Sequence, residues 1–305
     1  DYSKSTYQWK PDGEKILRIT KSSLSDFGFC PYQYYQNRVL DNKIDRVTPD
    51  MTTGINVHDS VELFWIRVMS HVPKILKLAD GGKHDEAFKL MVSCHPEPET
   101  PYEFREEKNI FQWTVWQYQR LLITRGERFL PVLNEESLDA IKKMSIGGDD
   151  DSALDVHFVG IIDRAFETDD GSLALMELKT GKWKGNRWKV SSMRDEMEYY
   201  RMLVDMQPND YPWKGKVTHW GWLYPDGGKN DGDGIHFDYE EVEKRYTPKR
   251  VNKAINTLIE SHIREDFIPK PSNGKCVYCD HKKICPAWRG SDAIKYWTKS
   301  KPRFT

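Results

Sequence analysis

An α/β fold is the prediction, and three stretches of the chain carry it. Residues 54–76, GINVHDSVELFWIRVMSHVPKIL, repeat apolar side chains at helical spacing, with Val57, Val61, Phe64 and Val68 on one stripe. Between residues 138 and 180 the period falls to two. There LDAIKKMSI, DVHFVGIIDRAFE and SLALMELKT alternate or run apolar between the polar turns GGDDDS and TDDGS, the pattern of a three-stranded antiparallel meander. Helical spacing returns at 193–206 and 248–264, on either side of one more strand, HWGWLYP.

The remaining segments are assigned in order. Residues 1–19 read as irregular, and SSLSDFGF opens a helix with Ser22 or Ser23 as N-cap. Residues 78–104 are loop-rich. A long amphipathic helix follows from about Glu107 to Phe129, carrying Trp113, Trp116 and Tyr118. The stretch PDGGKNDGDG has the wrong ligand order for a calcium loop and is read as a hairpin turn. Residues 1–265 are expected to form one domain with a helical N-terminal part, and residues 266–305 a cysteine-rich closing segment.

Bulk composition limits the function. Basic and acidic residues balance, 46 against 47, so no global field draws in a polyanion and any nucleic-acid contact must rest on a local basic patch. No run approaches the roughly 18 apolar residues of a membrane span, and the N-terminus has no apolar signal region. The expectation is an intracellular, cytoplasmic protein of a bacterium or a phage-infected host, without membrane contact.

The strand MELKTGK, residues 176–182, puts Glu177 and Lys179 on one face, since side chains two apart share a side. The hairpin through Asp169–Ser172 brings Asp163 of the preceding strand beside them. Clustered carboxylates in an apolar sheet are costly unless a cation joins them. Oxygen ligands of this kind suit a hard divalent ion, Mg2+ or Mn2+. A surface ladder of ion pairs is the plainer alternative.

Five cysteines, Cys30, Cys94, Cys276, Cys279 and Cys285, make an odd set. Three lie in CVYCDHKKICP as C-x2-C-x5-C, a metal or cluster spacing, and Cys30 in FGFCPYQYY is the expected fourth ligand. Joining it to Cys285 would close a very long loop. Iron-sulfur and Zn2+ both suit four thiolates; the other reading is that all five are buried small residues. Cys94 is taken as a free thiol. The segment KTGKWKGNRWKV interleaves Lys182, Lys184, Arg187 and Lys189 with Trp183 and Trp188, a mix suited to single-stranded nucleic acid or, alternatively, a solvated loop.

These motifs together resemble the PD-(D/E)XK nuclease superfamily: Asp163, thirteen residues, then Glu177-Leu178-Lys179. Thr180-Gly181-Lys182 after the lysine makes the RecB-like branch the best match. GINVHDSVE is similar to the family's helix bearing a metal-ligating histidine, here His58, for which pairing with Glu62 is the alternative. SSLSDFGFCPYQYY is similar to its N-terminal segment. RDEMEYYRML is similar to its Q-x-x-x-Y helix, with Tyr200 matching and Glu196 standing where glutamine is usual. The cysteine pattern is similar to the branch members with an iron-sulfur cluster, among them CRISPR-associated nucleases, AddB and eukaryotic replication helicase-nucleases.

The resemblance implies a restriction-endonuclease-like core, a central mixed β-sheet flanked by helices, and a 4Fe-4S cluster on Cys30, Cys276, Cys279 and Cys285. It implies a metal held by His58, Asp163, Glu177 and the carbonyl of Leu178, with Lys179 orienting the attacking water. The implied activity is exonucleolytic cleavage of DNA, at single-stranded ends, in replication, recombination or repair. DNA contacts are expected at Lys182, Lys184, Arg187, Trp183 and Tyr200. No Walker A motif occurs, so unwinding would come from a helicase or recombination partner. A non-catalytic DNA-binding recombination scaffold or a CRISPR-adaptation-type end-processing factor is the alternative.

Overall fold

The computed structural model describes residues 6–9, 15–44, 48–145, 153–228 and 234–289. Along the chain run β1 (Tyr7–Trp9), β2 (Lys15–Ile19), α1 (Lys21–Phe29), α2 (Pro31–Tyr34), α3 (Pro49–Val68), α4 (Val72–Asp80), α5 (His84–Val92) and α6 (Phe104–Thr124). Then come β3 (Leu133–Met144), β4 (Leu154–Glu167), β5 (Leu173–Leu178), α7 (Arg187–Asp205), β6 (Val217–Tyr224), β7 (His236–Glu241), α8 (Tyr246–Ile263), α9 (Asn273–Cys276) and α10 (Pro286–Arg289).

Two compact units emerge: one of Asp1–Arg46, Asp139–Gly160 and Pro248–Thr305, the other of Val47–Leu138 and Ile161–Thr247. β3 and β4 lend residues to both.

The second unit holds a mixed sheet flanked by helices. β4 pairs antiparallel with β5, β5 parallel with β6, and β6 antiparallel with β7. A parallel neighbour needs a crossover, and α7 supplies it between β5 and β6. The stripe expected on the first long helix is the core: Val57, Val61, Phe64 and Val68 are fully buried with Trp113, Leu121, Leu178 and Leu223. Thr48 caps α3 by accepting from Met51 N, and Pro49 starts it where no N–H is needed. β6 carries Gly221 because β7 comes close: a Cβ there would lie 2.7 Å from Asp238 O and 3.0 Å from Met176 Sδ.

Several expectations on the elements are corrected. The helix foreseen over 54–76 breaks at Met69–His71, and α4 restarts with Pro73 near its N-terminus, because proline has no N–H to give and its ring clashes with the preceding turn. The loop-rich stretch contains α5, which buries Ala87 and Met91. In the first unit, residues read as irregular form β1 and β2, which pair antiparallel, and β2 runs parallel to β4 from Ile16 opposite Asp155 to Ile19 opposite Phe158. The N-cap of α1 is Thr20, with Ser23 completing a capping box three residues on. The GGDDDS turn and the centre of PDGGKNDGDG lie outside the described residues. No described helix is long and apolar enough to cross a membrane.

Candidate metal centre and catalytic site

The hairpin of β4 and β5 sets the site. Arg164 stands opposite Met176, so Asp163 comes one step further on, where β5 reaches Glu177 and Leu178. Thr168 and Ser172 close the turn (Thr168 N to Ser172 O, 3.0 Å), and Gly171 adopts a left-handed φ of 78°. Asp163 Oδ2 accepts a bond from Leu178 N at 3.0 Å, which locks the carboxylate against the neighbouring strand.

α3 delivers His58 to the same place. Its Nε2 lies 3.1 Å from Leu178 O, and since a carbonyl only accepts, this contact as a hydrogen bond makes Nε2 the donor. Nδ1 then presents its lone pair to Glu135 Oε1 at 3.5 Å and Asp163 Oδ2 at 3.9 Å. Three acceptors facing one another repel unless a proton or a metal cation sits among them. The pKa of His58 accordingly rises: burial pulls it down, but the Glu135 hydrogen bond and the Asp163 charge outweigh burial. The histidine therefore turns to the sheet, and its nitrogens meet Leu178, Glu135 and Asp163 instead of Glu62.

Glu135 is a site residue that sequence reasoning missed. His58, Glu135 and Asp163 bring ligand atoms within 4.8 Å of one another, and among the described residues no other group of three His, Cys, Asp or Glu does so. Glu135, the third residue of β3, has a left-handed φ of 48°, a conformation that costs a non-glycine residue about 1–3 kcal/mol and persists when surroundings hold it. Arg164 Nη2 holds it here, donating to Oε1 at 3.0 Å. Arg164 is 3% exposed, and a buried guanidinium calls for the carboxylate that Glu135 supplies.

Glu177 is brought beside the lysine but stays outside that tight trio. Its side chain is 3% exposed, and Lys179 Nζ donates to its Oε1 at 2.5 Å and to Glu196 Oε1 at 2.9 Å. Asp163, Glu177, Glu196 and Glu135 thus meet two permanent cations, Lys179 and Arg164, and with His58 neutral the cluster is left two charges negative. One divalent ion would carry that charge, and a donor set of carboxylates and one imidazole suits a hard or borderline cation such as Mg2+ or Mn2+.

The expected DNA contacts divide. Lys182, Lys184 and Arg187 are exposed, and Lys189 is half-buried, with a pKa lowered by burial and by Lys179. Trp183 is a correction. It is buried, stacked on His236 at 4.7 Å and packed on Tyr224, so its faces are taken by the core and no base can stack there. Trp188, 86% exposed, is the open indole of this segment. Tyr200 is likewise buried; burial and the charges of Glu177, Asp163 and Glu196 push its pKa far up, so it stands as a protonated phenol beside the charged cluster.

Cys30, Cys276, Cys279 and Cys285 lie in the first unit, where residues 29–37 meet residues 270–285. Tyr32 Oη donates to Ile284 O at 3.2 Å, Lys275 Nζ to Phe29 O at 3.0 Å, and His281 Nε2 to Asn37 Oδ1 at 2.6 Å. Backbone N–H groups of Lys270 and Ser272 point at Cys30 Sγ and Cys276 Sγ, each at 3.4 Å. The Cys279 thiol is pushed up by burial and by the neighbouring Cys30, Cys276 and Cys285. The four do not form a compact ligand group: no three of their sulfurs lie within 4.8 Å. Cys94 is a buried free thiol, raised in pKa by burial, with Sγ 3.4 Å from Leu90 O.

Comparison with known proteins bears on this geometry. A family model described as the PD-(D/E)XK nuclease superfamily matches residues 18–286. Among solved structures, a protein called SSO0001 is 12% identical with a TM-score of 0.35, covering 90% of this chain and 87% of that one. A protein described as "Putative exonuclease" from Eubacterium rectale is 12% identical with a TM-score of 0.41, covering 86% of each chain. No curated protein matches the sequence.

Proposed function

Because the chain belongs to the PD-(D/E)XK nuclease superfamily, we propose that it is a DNA exonuclease of the RecB-like branch, dependent on Mg2+ or Mn2+ and acting at single-stranded ends. The observation that carries this reading is the convergence of His58 Nδ1, Glu135 and Asp163, three lone-pair donors that need a cation, next to a lysine held by two carboxylates. His58, Asp163, Glu135 and Glu177 would hold the ion. Leu178 O, also expected among the ligands, accepts from Nε2–H in this arrangement, which leaves the Nδ1 lone pair for the ion. A bound ion supplies polarisation of the phosphate and a lowered pKa for the attacking water. Lys179 orients that water and meets the charge that develops on the phosphate.

End-labelled single- and double-stranded DNA, incubated with Mn2+ or Mg2+ and with excess chelator, tests the reading. Cleavage by the parent, its loss on chelation, and a fall of about 10²-fold or more in Lys179→Ala are expected. Equal cleavage by parent and variant would refute the assignment.

Single strands are gripped by Lys182, Lys184 and Arg187 with Trp188 as the stacking surface. Trp188→Ala should weaken binding of a labelled oligothymidine by about 1–3 kcal/mol in anisotropy titrations. Trp183→Ala should instead lower the melting temperature, because that ring is core.

Cys30, Cys276, Cys279 and Cys285 hold a 4Fe-4S cluster that staples the two ends of the first unit. The donor set also suits Zn2+. Anaerobically purified protein should be brown with broad visible absorption. A colourless protein with stoichiometric zinc would reject the cluster.

A further inference from the structure

We propose that Glu196 is a positioning residue: from α7 it anchors the ammonium of Lys179, so that the lysine keeps its place when Glu177 is engaged elsewhere. The proposal rests on the nuclease reading above. Lys179 follows β5, and its backbone is pinned by donation from its N to Leu223 O at 2.9 Å. The side chain beyond is a point charge on a flexible four-carbon stem, 26% exposed, which does not hold an ammonium in place unaided.

Two carboxylates from different elements fix it. Glu177 Oε1 approaches from β5 at 2.5 Å and Glu196 Oε1 from α7 at 2.9 Å. The two have different duties. Glu177 belongs to the carboxylates that would face a cation, and an oxygen lent to that cation pulls less on the lysine. Glu196 reaches the lysine from α7, a different element from the strand whose carboxylate is assigned to the ion above, so its attraction for Lys179 persists.

The helix gives this anchor its stiffness. α7 starts at a capped N-terminus, Asn186 Oδ1 accepting from Lys189 N at 2.8 Å, and buries Met193, Met197, Tyr199, Tyr200 and Leu203 around Glu196. An amide in place of Glu196 would still accept a hydrogen bond but would lose the charge, and charge-assisted bonds are roughly twice as strong as neutral ones. A carboxylate here also offsets part of the positive charge that an incoming phosphate would meet. Its contribution is therefore to the lysine's placement in the chemical step, and not to substrate affinity.

Glu196→Ala, Glu196→Gln and the parent are compared on the full chain. In single-stranded DNA cleavage, Glu196→Ala should lower kcat by about 10²-fold, the effect of a misplaced catalytic group, with KM within about 2-fold and an unchanged melting temperature. Glu196→Gln should recover to within about 10-fold of the parent. A second readout needs no catalysis: limited acetylation of the metal-free protein, followed by peptide mass spectrometry, should modify Lys179 several-fold faster in Glu196→Ala than in the parent.

Parental kcat in the alanine variant, a glutamine variant no better than alanine, or unchanged Lys179 acetylation would each overturn the proposal. If the parent itself cleaves no DNA, the nuclease reading fails, and the acetylation result alone decides whether Glu196 anchors the lysine.

Discussion

Asp163→Ala is expected to slow metal-dependent DNA cleavage by at least about 10³-fold, the scale of several kcal/mol that a correctly held ion contributes to transition-state stabilisation. Two losses coincide in this variant. One of the three converging acceptors goes, and the buried Leu178 N–H is left without the oxygen it donates to at 3.0 Å. Asp163→Asn separates them, because its amide oxygen still accepts from Leu178 N while the charge is gone. The asparagine variant should be as inactive as alanine but keep the parental melting temperature. Mn2+ titration calorimetry should show weakened binding in both. His58 provides an independent check: Asp163 helps to raise its pKa, so its imidazole signals in NMR should titrate at lower pH in either variant. Cleavage by Asp163→Asn at the parental rate would remove the carboxylate from the mechanism.

Trp113→Ala should cost about 3–5 kcal/mol of unfolding free energy, the largest effect expected outside the charged cluster. The ring is fully buried on α6 and meets Phe64 edge-on at 4.8 Å, Trp65 at 5.5 Å and His95 at 5.7 Å. It also lines, with Arg164 and Phe166, the small cavity beneath Glu177 and Leu178. Truncating it therefore opens space under the strand that carries the site. Denaturant unfolding of Trp113→Ala beside the surface variant Trp188→Ala measures this. Equal midpoints for the two would mean that the α3–α6 packing does not stabilise the fold.

Much of the site was legible because strand periodicity is a local property. Asp163, Glu177 and Lys179 could be read together since a short turn and a period of two bring them to one place whatever surrounds the hairpin. His58 was legible only through resemblance, as a histidine on a helix has no local mark of its direction. Glu135 escaped both routes. It lies 28 residues before Asp163 in a polar stretch, and its role depends on how β3 meets β4 and on a left-handed backbone held by Arg164.

The aromatic-basic segment shows the opposite failure. Trp183 and Trp188 look alike in sequence, five residues apart. One is sealed by His236 and Tyr224, and the other lies in the first turn of α7, open to solvent. Tyr200, expected to contact DNA, is instead buried on α7 beside the charges of Glu177, Asp163 and Glu196.

By itself the sequence determined the α/β alternation, the buried stripe of α3, the charged pair at the end of β5 and the family. Each rests on spacing along one element, which short-range geometry dictates. Only the tertiary structure decided that Glu135 joins His58 and Asp163, that Glu196 shares Lys179 with Glu177, and which tryptophan faces water. Those outcomes depend on which distant elements pack together, and a partner's charge or bulk is written nowhere in the local pattern.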